Sequence, residues 1–122
     1  MIVSTESVSD PAGRVVLAAA SQYTNKFFFN ETLGPIPDEV RKEIAVLLIW
    51  ATEESGGMTI MGFEEDGSVY LASTAEEGDL GYDEISAGLT IREIEREHAD
   101  MIEELEQWYS EIVRKKDRRK DS

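Results

Sequence analysis

Five carboxylates fall within nine residues at Glu76, Glu77, Asp79, Asp83 and Glu84, spaced around Gly78 and Gly81. Oxygen ligands on a flexible loop are what hard cations such as calcium and magnesium take, so Asp79, Asp83 and Glu84 are candidate metal ligands. The spacing is not that of an EF-hand: ligands do not alternate regularly and no closing bidentate Glu follows. The competing reading is an acidic loop running into a helix, with Asp83 and Glu84 at the positive end of the helix dipole. A second constellation is Glu95 and His98, a Glu-x-x-His pair that shares one helix face, as in di-iron carboxylate bundles. Such a site needs a second copy of the motif. His98 is the only histidine, so only a symmetric dimer would complete it. The competing reading is a histidine hydrogen-bonded at a packing seam, whose protonation would loosen that seam.

Other chemistries lack their usual residues. The chain has no cysteine, so thiolate catalysis, zinc knuckles and disulfides are closed to it. No G-x-S-x-G, G-x-G-x-x-G or P-loop pattern is present. The expectation is binding rather than catalysis, with no cofactor.

The elements that must position these residues are led by the stretch 90–116. Ile91, Ile94, His98, Met101, Leu105, Trp108 and Ile112 recur at spacings of three and four, the pattern of a helix seam. Ile102 and Tyr109 widen the stripe, and the remaining positions are mostly Glu. Thr90 and Glu93 form a capping box at its start. A helix of about 25 residues is ~37 Å long, against a radius of gyration near ~14 Å for a domain of this size. Its far end therefore needs cover, which a homodimer would supply through Ile94, His98, Met101, Leu105, Trp108 and Ile112.

Earlier in the chain, 15–20 (VVLAAA) and 27–30 (FFFN) read as a first pair of strands. Three consecutive phenylalanines put at least one ring on the face opposite the others, a mark of either a partner surface or a second covering layer. Pro37, Asp38 and Glu39 open a helix. Its apolar face is Val40, Ile44, Leu47, Leu48 and Ala51, extended by Val46, Ile49 and Trp50 as if buried on more than one side, and Gly56-Gly57 end it. Asp66-Gly67 predicts a tight hairpin between strands near 58–64 and 68–73. One face there would hold Ile60, Val69 and Leu71, the other Met61, Phe63 and Tyr70. A short helical turn at 83–87 precedes Gly88 and the long helix.

The expected fold is α+β in the order β-β-α-β-β-α. Two hairpins form an antiparallel sheet of about four strands, with a buried helix and a long C-terminal amphipathic helix. Residues 1–13 form a lead-in, 14–114 a single domain and 115–122 a basic tail. The formal charge of −14 is uneven: six basic and two acidic residues in the last nine positions give +4 there, leaving −18 for residues 1–113. Such a body repels phosphate backbones and anionic lipid, so neither nucleic acid nor membrane is an expected partner. The tail cations complement the negative end of the last helix. No signal segment or membrane span is read, which gives a cytoplasmic expectation.

The succession of 15–20, FFFNE, the Pro37 helix ending TEESGG, GFEEDG, AEEGDLGYDEISAGL and a Glu-rich last helix resembles a family of small bacterial proteins known only as a domain of unknown function. The resemblance covers about residues 14 to 112. Tyr82-Asp83-Glu84-Ile85 with Gly88-Leu89, after Glu77 and Asp79, carries it most specifically. It implies a compact cytoplasmic domain and no mechanism. The functional expectation is a homodimeric protein-binding, regulatory or adaptor module whose further partner has a basic surface. The alternative is a carboxylate-based metal-binding protein or hydrolase.

Overall fold

A computed structural model describes the backbone of residues 13–121 and the side chains of 13–113. The expected lead-in therefore falls almost wholly outside the described residues, as do the side chains of the basic tail. Four strands, β1 (Val15–Ser21), β2 (Lys26–Phe29), β3 (Met58–Phe63) and β4 (Val69–Thr74), form one antiparallel sheet in the order β2-β1-β3-β4. Three helices accompany it: α1 (Asp38–Ser55), α2 (Glu84–Glu97) and α3 (Ala99–Asp121). The fold is α+β, with the two expected hairpins on either side of α1.

The registers decide which side chains share a face. Phe29, Ala18, Met61 and Leu71 form one row across the four strands, while Phe28, Ala19, Ile60 and Ala72 form the next row on the opposite face. The core takes the first parity: Phe27, Phe29, Ala18, Ala20, Met61, Phe63, Val69 and Leu71 pack with α1, α2 and α3. A bulge between Val16 and Ala18 inserts Leu17, which is buried in that core. The expected pairing of Ile60 with Val69 and Leu71 is thus corrected: Met61 and Phe63 are their neighbours.

That correction comes from the turn. Gly67 N–H donates to the Glu64 carbonyl (2.9 Å) and Glu64 N–H to the Ser68 carbonyl (2.7 Å), closing a three-residue loop over 65–67 rather than a two-residue one. Gly67 alone takes positive φ there, at 92°. Asp66 instead accepts from the Ser68 backbone and hydroxyl, which holds its carboxyl below its ordinary pKa.

α1 starts beyond Pro37, and Gly56 ends it with φ 80° and an N–H bond to the Thr52 carbonyl (2.7 Å). Ile44, Leu47, Leu48 and Ala51 are buried, but Val46 and Ile49 are exposed. α1 is therefore buried on one side, not wrapped as expected. The last helix differs more. It starts at Glu84, runs through Gly88, and breaks at His98 (φ −121°, ψ 31°) before α3 continues. Thr90 is no cap: it is buried mid-helix, with its hydroxyl donating to the Ala87 carbonyl. Asp83 caps instead, because its carboxylate accepts from Ser86 N–H (3.0 Å) and the Ser86 hydroxyl (2.8 Å). α2 packs on α1, whereas α3 carries Met101, Leu105, Trp108 and Tyr109 into the core over the sheet. The break at His98 lets one apolar stripe serve both supports.

Two glycines give opposite predictions. A Cβ on Gly57 (φ 69°) would overlap the Thr74 carbonyl oxygen and sit 3.0 Å from Tyr82 Cδ1. Gly57→Ala is expected to cost more than about 2 kcal/mol in denaturant unfolding. Gly88 sits in a helix with open space around it, so Gly88→Ala is expected to gain about 0.5–1 kcal/mol in the same measurement.

Candidate functional site

The candidate acids gather at one corner, where the loop after β4 turns into α2. Tyr23, from the β1–β2 loop, reaches across and donates its hydroxyl to Asp79 Oδ2 (2.6 Å) while accepting the Glu76 N–H (2.8 Å). Asp79 Oδ1 accepts the Gly81 N–H (2.9 Å). Both Asp79 oxygens are thus occupied in shaping the loop. The bond to Asp79 also raises the Tyr23 phenol above its ordinary value, because the nearby carboxylate favours the protonated form. Next along, Tyr82 is anchored by Ser73 (Oη to Oγ 2.8 Å) and lies over Gly57, and Asp83 N–H donates to the Ser55 carbonyl (2.8 Å). Glu84 is exposed in the first turn of α2.

As a cation site this corner offers little convergence. Asp79 and Asp83 point both oxygens at N–H or O–H donors. Among the described residues no group of three or more His, Asp or Glu side chains is placed to hold a metal. Glu95 and His98 face different grooves: Glu95 lines one beside β4, with Leu71 and Ile102, while His98 lies with Leu47 and Trp50 against α1. The partner of His98 is Glu43, with Nδ1 to Oε2 at 3.1 Å.

The stripe offered as an interface faces inward. Ile94, Met101 and Leu105 are buried in the chain's own core. Trp108 packs on that core, its Nε1 donating to the Pro35 carbonyl (3.1 Å) and its ring centroid 6.3 Å from that of Phe63. Tyr109 stacks on Phe63 at 4.1 Å and 3° between planes, and desolvation there raises its phenol pKa. Ile112 lies over Gly34. Up to Ile112 the helix thus has its cover from Phe63 and the 34–35 segment.

Other surfaces stay open. Leu80 is 100% exposed, Ile85 77% and Leu89 59%, beside the acidic loop on the outward side of α2. The outer face of the sheet carries Val16, Ala19, Phe28, Met58, Ile60, Tyr70 and Ala72, half-buried except for the buried Ala19, with Lys26 and the Arg14–Glu64 pair at its margins. All three helices pack on the other face. Phe28 was the legible signal for this surface. The Tyr23–Asp79 and His98–Glu43 bonds join residues 56 and 55 apart in sequence, and no local pattern announces them.

The Asp83 cap makes a pH-dependent prediction. Its carboxyl is held below its ordinary value, first by the Ser86 N–H and then by the Ser86 hydroxyl. A depressed folded-state pKa contributes stability that is present above the unfolded value of about 3.9 and is lost as pH falls through the lowered one. Asp83→Ala should therefore lower the melting temperature at neutral pH, and the gap to wild type should close in acid. Thermal melts across the carboxylate range check this, and a gap that persists in acid would contradict it.

Comparison with known proteins agrees with the resemblance. No curated protein and no solved structure matches the chain. The family described as "Family of unknown function (DUF6145)" matches residues 14–117, nearly the whole described domain and every candidate residue discussed above. With its acidic corner and one-sided helical layer, this chain belongs to the DUF6145 family of unknown function.

Proposed function

We propose that this chain is a non-catalytic protein-binding module of the regulatory or adaptor kind, and that it self-associates through the outer face of its sheet. The observation that carries this is the uncharged row Phe28, Ala19, Ile60 and Ala72, which crosses all four strands on the face without helices. Antiparallel sheets often leave one face to water, but that face is then polar. An apolar one fits a second sheet stacked at ~10 Å.

A second copy is the occupant that the charge distribution favours. Copies carrying −14 repel each other over most approaches. The Phe28–Ala19–Ile60–Ala72 row at the centre of the outer face carries no charge, and there that repulsion is weakest. At the margins of that face lie Lys26, in the row of Ser21 and Met58, and Arg14, which sits over the Tyr70 ring and pairs with Glu64. Four strands ~4.8 Å apart and about six residues long give roughly 400 Å² of plane per copy. The pair then falls below the ~1,200 Å² at which stable interfaces start, so the dimer is weak and concentration-dependent. The runner-up, a carboxylate metal site with hydrolytic activity, is less well supported, because Asp79 and Asp83 already serve as hydrogen-bond acceptors.

Sedimentation across a concentration series tests the reading. Wild type should shift from monomer towards dimer, and Ile60→Lys should weaken association by at least ~10-fold while keeping the wild-type circular dichroism. Ile60→Thr, which keeps a β-branched side chain, should fall between the two. A wild type that stays monomeric throughout, or a folded Ile60→Lys that associates as before, would overturn it.

A further inference from the structure

The outer edge of β4 is a second surface with its own chemistry. Among the described residues β4 pairs only with β3, so one side of its backbone is an open ladder. The Glu64–Ser68 bond sets the phase: Tyr70, Ala72 and Thr74 bond towards β3, and Val69, Leu71 and Ser73 turn their N–H and C=O groups outward. One of these groups is already satisfied, since Val69 N–H donates to Glu106 Oε2 at 2.8 Å from α3. No described residue bonds the backbone N–H groups of Leu71 and Ser73.

Beside this edge runs a groove between β4 and the α2–α3 junction. Leu71, Ala99 and Ile102 supply apolar lining, and Glu95, Glu103 and Glu106 supply carboxylates. No cation lines it.

We propose that this edge and groove bind an extended polypeptide segment in which basic and apolar residues alternate, added to the sheet as a fifth strand. The alternation follows from the pleat. Side chains of an added strand that point to the helical face enter the groove, where a Lys or Arg lays its aliphatic stem on Leu71 and Ile102 and its charged head among the three glutamates. Side chains of the other parity extend the outer apolar row beyond Ala72 and are best apolar. The Leu71 N–H and C=O supply the main-chain bonds.

The same carboxylates argue against a second copy here. Edge-to-edge pairing of two β4 strands would bring two sets of three glutamates together, a like-charge guard of the kind that keeps sheet edges from self-pairing. Charge complementarity selects a basic strand and rejects this chain's own edge. The proposal is separate from self-association, which uses the sheet face.

The test uses the full chain and a capped six-residue peptide alternating lysine and valine, with a glutamate–valine peptide as control. Calorimetry should show binding of the lysine peptide that strengthens as salt is lowered, and hydrogen exchange should show the Leu71 amide slowed by at least ~10-fold at saturation. The double variant Glu95→Lys/Glu103→Lys changes two exposed side chains and leaves Glu106 on Val69. It should bind the lysine peptide at least ~10-fold more weakly and prefer the glutamate peptide. Ile60→Lys should bind the lysine peptide as wild type does, which separates this site from the dimer. Three outcomes would each overturn the proposal: no binding by wild type, equal binding by the charge-reversed variant, or binding that leaves Leu71 exchange unchanged. The last would show only attraction to the acidic body.

Discussion

Between α1 and β3 the backbone passes through Gly56 and Gly57 with φ of 80° and 69°, and five element ends meet there. The Gly57 carbonyl accepts the Gln22 N–H just after β1, and Met58 pairs with both Ser21 of β1 and Thr74 of β4. The Ser55 carbonyl at the end of α1 accepts the Asp83 N–H at the start of α2. Tyr82 lies close against Gly57, where a side chain would collide with the Thr74 carbonyl. Only a residue without Cβ allows this approach, and its flexibility in the unfolded chain is the cost. Since α2 starts at the last turn of α1 and reaches Glu43 at its far end, the two helices run antiparallel on one face. α3 continues over the same side. The one-sidedness of the molecule starts at this corner.

Much follows from one-sidedness. Among the described residues the apolar side chains of the helices cover one sheet face, and none of the three helices packs on the other. The acids then divide into two kinds of work. Asp66, Asp79 and Asp83 fold their own turns by accepting backbone and hydroxyl donors. The glutamates of α2 and α3 form the charged wall beside the free edge of β4. Part of the acidic character is therefore structural: the aspartates close the turns they sit in.

The strands were legible because β-branched and aromatic runs were bounded by strong turn residues, and α1 because Pro37 and Gly56 punctuate it. Three features were not. Strand pairing across 64–68 depends on whether the loop has two residues or three, and one residue changes which side chains share a face. Thr90 and Glu93 match a capping box, yet Asp83 with Ser86 is an equally good local cap. Tertiary contact with Ser55 and α1 chose between them. The stripe from Ile94 to Ile112 has the spacing of a seam, but spacing cannot say whether the facing surface is a partner or the chain's own Phe63 and Met61. Of the candidate site residues, Asp83 was read correctly as a helix-start acid. Glu95 and His98 share α2 and its cap, but Glu95 lines the groove beside β4 while His98 turns to α1, a difference that their spacing alone does not announce.

Ile60 and Met61, neighbours on β3, face opposite sides of the sheet: Ile60 the half-exposed outer face, Met61 the helical core. The chain has no cysteine, so single cysteines at these two positions report without background. In dilute protein under native conditions, Ile60→Cys should be alkylated readily. Met61→Cys should react only through global unfolding, slower by orders of magnitude. Comparable rates, or the reverse order, would mean that the helices do not lie on one face, and the account of both surfaces would fail.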